Sequence, residues 1–155
     1  DGLPILFTQK RVGRENSLFL IFKFRTMLKN TPDIPTHLLK NEKSIFTKTG
    51  SFLRKYSIDE LPQLINIIKG DLVFIGPRPA LHNQKDLIEL RKAKNIDKLT
   101  PGLTGWAQVN GRDELSIPDK VKMDYFYLKN KSISLDLKIL FMTSLKVLRA
   151  ENVSS

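Results

Sequence analysis

Residues 54–79 read RKYSIDELPQLINIIKGDLVFIGPRP and contain the densest set of local structure signals in the chain. Ser57 and Glu60 have the spacing of an S-x-x-E capping box, and Pro62 falls where a first helical turn tolerates proline. Gly70 is suited to end the helix. The stretch therefore predicts a helix that begins at Ser57 and stops at Gly70. Its apolar residues, at helical spacing on one face, are Leu61, Leu64, Ile65 and Ile68.

Two adjacent carboxylates, Asp59 and Glu60, open this predicted helix. Acidic residues in a first turn stabilise a helix through its dipole by roughly 0.3–1 kcal/mol each, which is the structural interpretation. The same position offers backbone N–H groups that attract phosphate, which is the functional interpretation. Spacing alone favours the structural interpretation, because so short a motif has little specificity.

The residues that follow shift the balance toward function. Residues 72–75 predict a short buried strand, and the strand leads directly into the stiff sequence Gly-Pro-Arg-Pro at 76–79. Ligands often bind at the carboxyl ends of strands, so Arg78 is well placed to meet an anion. Arg54, five residues before Asp59, adds a second cation near the predicted helix start.

Composition limits the class of protein. The chain has 155 residues, which suits a single domain, and it has no cysteine for disulfides or thiolate metal sites. Its 26 Lys and Arg outnumber 16 Asp and Glu, a formal charge of +10. This excess indicates a polyanionic partner: nucleic acid, a phosphorylated substrate or an anionic membrane surface. No apolar run approaches the roughly 18 residues of a membrane-spanning helix.

Two further segments carry basic residues in patterned contexts. Residues 17–27, SLFLIFKFRTM, predict a strand in which Lys23 and Arg25 project to the same side, either as a solvated edge or as the lining of a site. Residues 134–149 predict a basic amphipathic helix. Such a helix lies in a membrane interface or packs on a core, and the pattern leaves both open. Its apolar face is formed by Leu137, Leu140, Phe141, Leu145 and Leu148.

A turn-rich stretch at residues 99–112, LTPGLTGWAQVNGR, brings backbone close to whatever it covers. Arg112 closes this stretch. The stretch lacks the G-x-x-x-x-G-K-[ST] pattern, so a nucleoside triphosphatase has no motif to support it.

Taken together, these motifs resemble the bacterial sugar transferases known as monotopic phosphoglycosyl transferases. The resemblance runs nearly end to end and in order. The matching blocks are SIDELPQLINIIKGDLVFIGPRPAL at 57–81, QKRVG at 9–13, FKFRTM at 22–27, LTPGLTGWAQVNGR at 99–112 and MDYFYLKNKSISLDLKILFMTSLKVL at 123–148. We expect one catalytic α+β domain over residues 1–155, with amphipathic helices around a small β-sheet.

The resemblance implies transfer of a phosphosugar from a UDP-sugar to polyprenol (undecaprenyl) phosphate, with release of UMP. This reaction would begin the synthesis of a capsule, exopolysaccharide, O-antigen or glycoprotein glycan at the cytoplasmic face of the bacterial inner membrane. Asp59 is implied as the nucleophile that forms an aspartyl-phosphosugar intermediate. A carboxylate suits this role because its ordinary pKa of about 4 leaves it ionised at neutral pH.

The remaining site residues are implied by the same resemblance. Glu60 would position a metal or handle a proton, and the expected ion is Mg²⁺, bound by Asp59, by Glu60 and, as a weaker candidate, by Asp124. Fixed positive charge is needed because every reacting group is anionic. The candidates for substrate and phosphate binding are Arg54, Pro77, Arg78, Pro79, Arg112, Lys23 and Arg25.

Members of this family carry a hydrophobic membrane segment before the position of Asp1, and this sequence has none. We therefore expect a soluble fragment of a longer membrane-anchored protein, with self-association into a homo-oligomer left open. Two non-catalytic alternatives also account for the charge. A nucleic-acid-binding module has no recognisable motif here, and we expect no nucleic-acid partner. A basic membrane-surface scaffold has no need of Asp-Glu beside Pro-Arg-Pro.

Overall fold

An antiparallel hairpin is the first element of the computed structural model, which describes residues 2–29, 31–32, 45–111 and 114–150. Strand β1 (Leu6–Val12) pairs with strand β2 (Leu18–Phe24), with Leu6 opposite Phe24 and Val12 opposite Leu18. The strand predicted within residues 17–27 is thereby confirmed. Only Ile21 of β2 is fully buried, so the hairpin forms one wall of the molecule.

The remaining elements are mostly helical and agree with a single α+β domain. In chain order they are α1 (Gly50–Lys55), a 3₁₀ turn (Ile58–Glu60), α2 (Gln63–Lys69), β3 (Val73–Ile75), α3 (Lys85–Ala93), a 3₁₀ turn (Ile96–Lys98), β4 (Gly102–Thr104), α4 (Trp106–Val109), α5 (Ile117–Asn130) and α6 (Ile133–Leu148). Serine caps begin the two long helices: Ser116 accepts a hydrogen bond from the Asp119 N–H, and Ser132 from the Leu135 N–H.

Strands β3 and β4 form a short parallel pair, with Val73 opposite Gly102. The turn-rich stretch therefore covers the Pro-Arg-Pro loop, and glycines permit the close approach. A Cβ atom at Gly102 or at Gly105 would overlap the backbone of Gly76. The prediction of a buried strand at 72–75 is wrong in part. Only its first residue is fully buried, because β3 has a single strand partner and turns Val73 and Phe74 toward solvent.

Two apolar clusters form the core, and α5 contributes to both. One cluster consists of Ala80, Leu87, Ile96 and Val121, and the other of Val109, Tyr127 and Ile139. The Tyr127 hydroxyl donates to Asp136 Oδ1 at 2.8 Å, which ties α5 to α6. Ala80 directly follows the Pro-Arg-Pro loop, so the first cluster also anchors the end of that loop.

The helix predicted to begin at Ser57 begins later. Ser57 has a left-handed backbone (φ 55°) and makes no side-chain capping hydrogen bond, so the capping box is wrong. A 3₁₀ turn holds Asp59 and Glu60, and α2 starts only after Pro62. The Glu60 side chain is engaged with cations elsewhere, which explains why it does not reach back to Ser57. Gly70 ends α2 with φ 83°, as predicted.

The apolar residues predicted to share a face of this helix are largely exposed, Ile68 by 87%. The residue that α2 buries completely is Asn66. Its Oδ1 accepts from the Phe22 N–H at 3.0 Å, and its Nδ2 donates to the Leu20 carbonyl at 2.7 Å. The amide thus pairs with β2 as a neighbouring strand would. It docks the segment that carries Asp59 onto the hairpin.

The apolar face predicted for the last helix is also exposed in the structure. Leu137, Phe141 and Leu148 are each more than 60% accessible, whereas Ile139 on another face is fully buried. Helix α6 therefore packs on the core through one face and leaves the predicted stripe uncovered among the described residues. Within those same residues, no helix combines the length and apolar character needed to cross a membrane.

Replacing Asn66 with leucine is expected to lower the free energy of unfolding by about 2–4 kcal/mol, because it leaves the Phe22 N–H and the Leu20 C=O unpaired in the interior. Urea denaturation followed by circular dichroism measures the change. Ile68→Ser on the same helix is the matched control, since that side chain is exposed, and it should change stability by less than about 0.5 kcal/mol. Equal effects of the two substitutions would contradict the docking role of Asn66.

Candidate active site

A cavity of about 670 Å³ opens between the hairpin, the 3₁₀ turn at Ile58–Glu60, the Pro-Arg-Pro loop and α3. Its volume is in the range of sites that hold small molecules and cofactors. Asp59 and Glu60 lie on its wall, and the rest of its charged lining is basic. Those cations are Arg11, Lys23, Arg25, Lys29, Arg54, Arg78, Arg91 and Lys120.

Glu60 lies at the centre of a charge network. Its Oε1 accepts from Lys23 Nζ at 2.9 Å and from Arg78 Nη2 at 3.2 Å. The Glu60 side chain is only 13% exposed, so solvent screens these ion pairs weakly. Strand β2 presents the lysine, and the loop after β3 presents the arginine. One carboxylate thereby joins three segments that are distant in sequence.

Asp59 is 8% exposed and lies on the wall of the same cavity as Glu60. Burial raises the pKa of its carboxyl group above the ordinary 3.8; Lys23 opposes this shift, Glu60 adds to it, and Arg54 and Arg78 oppose it. Burial likewise lowers the pKa of Lys23 to about 8, although the charge of Glu60 counteracts that change. A carboxylate of raised basicity surrounded by cations is suited to attack an electrophile that is itself anionic.

The Pro-Arg-Pro loop is fixed through its own carbonyl groups. The Pro77 carbonyl accepts from the Gly102 N–H at 2.9 Å, and the Pro79 carbonyl accepts from Arg11 Nη1 at 3.2 Å. Both prolines are buried. The prolines therefore hold the backbone, and the Arg78 side chain between them is the part that faces Glu60.

Arg91 on α3 supports the same loop from behind. Its Nη1 donates to the Arg78 carbonyl at 2.8 Å, and its Nε and Nη2 donate to Asp124 Oδ2 at 2.9 and 2.7 Å. The Asp124 side chain is 2% exposed on α5. Burial raises the pKa of Asp124, and the adjacent guanidinium opposes the shift. The buried ion pair holds Arg91 in the orientation that fixes the Arg78 backbone.

The structure brings most of the residues predicted for the site together. Arg54, in the last turn of α1, lines the cavity with its guanidinium 5.2 Å from the centre of the Phe46 ring. Arg25 lines the cavity and donates to the Gly2 carbonyl at 2.7 Å. Asp124 is not part of the lining and lies apart from the two carboxylates, against Arg91. Arg112 falls outside the described residues.

Sequence reasoning missed Gln108 on α4. This residue is 8% exposed, yet neither its Oε1 nor its Nε2 has a hydrogen-bond partner among the described residues. A buried polar group without a partner costs about 1–3 kcal/mol, which a ligand that pairs with it recovers. Gln108 lines the cavity beside the charged residues. Its only signal in sequence is its place in the turn-rich stretch.

The carboxylates of the cavity can be compared with the ligands that the expected Mg²⁺ uses. No cluster of three or more His, Cys, Asp or Glu side chains occurs in the ranges that the structure describes. Mg²⁺ in phosphate-transfer sites commonly uses one or two carboxylates together with substrate phosphates and water. Asp59 and Glu60 fit that partial set, because both are oxygen ligands on the wall of a cavity that has room for phosphates.

Charge and paired carboxylates define a cavity whose basic lining suits an anionic ligand. The family model for bacterial sugar transferases matches residues 1–150, and the chain belongs to that family. This confirms the family predicted from the motifs and places the protein among the transferases.

Three named relatives agree with this family assignment. The chain is 45% identical over 98% of its length to an uncharacterized sugar transferase, EpsL, of Bacillus subtilis, covering 74% of it. It is 37% identical over 97% of its length to an undecaprenyl-phosphate galactose phosphotransferase of Salmonella typhimurium, covering 35% of it. It is 38% identical over 92% of its length to a UDP-glucose:undecaprenyl-phosphate glucose-1-phosphate transferase of Escherichia coli, covering 32% of it. The chain thus spans about a third of the last two proteins.

Replacing Asp59 with asparagine is expected to raise the melting temperature at pH 7 by about 2–4 °C, equivalent to ~1 kcal/mol, because a costly buried charge is removed. The folded protein favours the protonated carboxyl, so the native chain loses stability relative to the variant as pH rises above 3.8. The difference should disappear in acid. Thermal scans in metal-free buffer between pH 3.5 and 7 measure it, with Glu89→Gln, on an exposed part of α3, as the control. A constant difference at every pH would contradict this reasoning.

Replacing Asp124 with asparagine is expected to lower stability by about 3–5 kcal/mol, because it leaves Arg91 buried without its counter-charge. The double variant Arg91→Met, Asp124→Leu should recover most of that loss, since both charges are removed. It should still raise the KM for the sugar donor, because the Arg78 carbonyl has lost its donor. Urea titrations and initial rates separate the two effects. A double variant with normal kinetics would show that the pair serves stability alone.

Proposed function

We propose that the protein transfers a sugar phosphate from a UDP-sugar to polyprenol phosphate, releasing UMP and forming a polyprenol diphosphate-sugar. The observation that carries this proposal is the buried Asp59 on the wall of a basic cavity, beside a Glu60 fixed by Lys23 and Arg78. The names of two relatives describe the same class of reaction. The two non-catalytic alternatives have no comparable support.

In the first step, an oxygen of the Asp59 carboxylate attacks the phosphorus that bears the sugar. An O–P bond forms, and the bond from that phosphorus to the bridging oxygen breaks. UMP leaves with the bonding electron pair, so no proton needs to be supplied. The product is an aspartyl phosphosugar held in the cavity. Attack by an ionised carboxylate explains why no histidine or other base is needed beside the nucleophile.

The cations oppose the repulsion between the reacting groups. Arg78 and Lys23 are held by Glu60 before any substrate arrives, so little reorganisation is needed when charge develops. Arg54 lines the same cavity and lies near enough to influence the ionisation of Asp59. Glu60 acts in this scheme as a positioning group, because its Oε1 already accepts two charged hydrogen bonds.

Asp59 and Glu60 are also the residues that would hold Mg²⁺. A bound Mg²⁺ neutralises phosphate charge and orients the phosphate oxygens. The protein's own part is to present two carboxylates on a rigid turn within a ring of cations.

In the second step, a phosphate oxygen of the acceptor attacks the same phosphorus. The bond between that phosphorus and Asp59 breaks, which restores the carboxylate. The acceptor's long chain belongs to a membrane, so we place the reaction at the bacterial inner membrane surface, on the cytoplasmic side. The exposed apolar stripe of α6 and the net charge of +10 support contact with an anionic bilayer.

Intact-protein mass spectrometry tests the first step. The chain is incubated with MgCl₂ and, in turn, UDP-glucose, UDP-galactose and their N-acetyl forms. A mass gain equal to one phosphosugar, with one equivalent of UMP released, is expected with at least one donor. Asp59→Asn should give no adduct, because the amide is a poor nucleophile. Glu60→Gln should slow adduct formation by at least about tenfold through loss of charge at the Lys23 and Arg78 contacts.

The control is Glu89→Gln, an exposed carboxylate on α3, which should form the adduct at the native rate. Peptide mapping then locates the modified residue. An adduct on a residue other than Asp59, or an adduct of undiminished yield in the Asp59→Asn variant, would contradict the proposed nucleophile.

A further inference from the structure

A second cavity, of about 210 Å³, lies next to the first and is lined mainly by apolar side chains. It is formed by the segment leading into α2, by the short β3–β4 sheet and by the second half of α6. The apolar residues of its lining are Leu61, Leu64, Phe74, Leu103, Val109, Leu140 and Val147. We call this cavity the apolar groove.

The two cavities share four residues, Ser57, Glu60, Arg78 and Gln108, which we call the junction. A molecule in the apolar groove therefore has one end at the charged network around Glu60. The junction also contains the buried amide of Gln108, whose polar atoms lack partners among the described residues. An unpaired amide at this point indicates that a polar group of a ligand belongs there.

The linings sort the two substrates by chemistry. The larger cavity is rich in cations and has room for a nucleotide with two phosphates and a sugar. No part of a UDP-sugar is an aliphatic chain, so it gains nothing from the apolar groove. A polyprenol phosphate is the opposite case, with one phosphate on a long hydrocarbon. It needs a cationic or amide contact at one end and apolar walls beyond it.

Resting on the function proposed above, we propose that the apolar groove is the binding site for the first isoprene units of the acceptor, with the acceptor phosphate at the junction beside Arg78 and Gln108. This arrangement directs the phosphate oxygen toward the same wall that carries Asp59. The nucleotide half of the donor occupies the larger cavity, on the other side of the junction. The two substrates thus reach the same residue from different directions.

The groove volume is below that of a typical small-molecule site, so only the part of the chain next to the phosphate is enclosed. Beyond it, exposed apolar side chains continue along both helices. Ile68 lies one helical turn after Leu64, and Leu137 lies about one turn before Leu140. These side chains give the rest of the hydrocarbon an apolar path toward a bilayer.

Photo-crosslinking tests the position directly. The probe is farnesyl monophosphate with a diazirine on its second isoprene unit, irradiated with the chain in detergent and mapped by peptide mass spectrometry. Labels are expected on residues 61–64, 74 and 140–147. The larger cavity has its own apolar rim, including Phe7, Phe24 and Leu28. Labels confined to that rim, or distributed over the surface, would overturn the proposal.

Kinetics supply a second readout. Leu64→Ser with Leu140→Ser removes two walls of the groove at partly exposed positions, so the fold should persist. The KM for undecaprenyl phosphate is expected to rise about tenfold or more, because apolar contact is lost. UMP release from the UDP-sugar in the absence of acceptor should keep its native rate. Leu18→Ser, exposed on β2 and outside the lining of both cavities, is the matched control and should leave both values unchanged.

A third variant tests the junction itself. Gln108→Leu should raise the KM for undecaprenyl phosphate while Gln108→Glu should raise it further, because a negative charge repels the acceptor phosphate. An unchanged KM in the groove and junction variants, with normal UMP release, would overturn the proposed site and leave the transferase function intact. Absence of UMP release in the native chain would instead contradict the function on which the proposal rests.

Discussion

The carboxylate of Glu60 is the contact on which the site depends. It accepts from Lys23 of the hairpin and from Arg78 of the loop after β3, and so holds together segments 37 and 18 residues away in the chain. Glu60 lies between these two cations and offsets their mutual repulsion, and the pKa of Lys23 falls to about 8 chiefly because of burial. Without Glu60, Lys23 and Arg78 would repel each other with no carboxylate between them. With Glu60, they form a fixed positively charged wall beside Asp59.

Buried charge of this kind opposes folding, so the surrounding structure must compensate for it. Burial raises the pKa of both Asp59 and Asp124, because removal from water disfavours an ionised carboxyl, and the neighbouring cations oppose the shift. The compensation is local. Arg91 satisfies Asp124 with two hydrogen bonds, Asn66 joins α2 to β2, and the apolar cluster around Ala80 fixes the end of the Pro-Arg-Pro loop. These contacts have two effects. They offset the free-energy cost of burying charged groups, and they hold the elements that carry those groups in fixed positions.

The sequence motifs predicted the secondary-structure elements and the charged site residues better than they predicted which side chains pack together. The strand containing Lys23, the last helix and the stop at Gly70 follow from local pattern and are confirmed. The capping box failed because Glu60 has stronger partners in the fold than the N–H of Ser57. The apolar residues of α2 were predicted to share one helical face, yet the helix is docked by Asn66, a long-range contact that no local spacing reveals. Arg91 was missed for the same reason, since its partners Arg78 and Asp124 lie far away in sequence, and the burial of Gln108 on the cavity wall has no local signal either.

The arrangement also limits what the cations can discriminate. Arginine and lysine side chains bind phosphate oxygens, and the diphosphate is common to every UDP-sugar, so in the proposed reaction the basic wall would select the class of donor and not the identity of the sugar. Discrimination between sugars requires groups that pair with particular hydroxyls, because a buried polar group left unpaired by the wrong sugar is penalised. The larger cavity contains such neutral groups in Thr8, Gln9 and Gln84. A change of sugar specificity in this fold therefore needs changes in uncharged lining residues, while Glu60 and its two cations can stay constant.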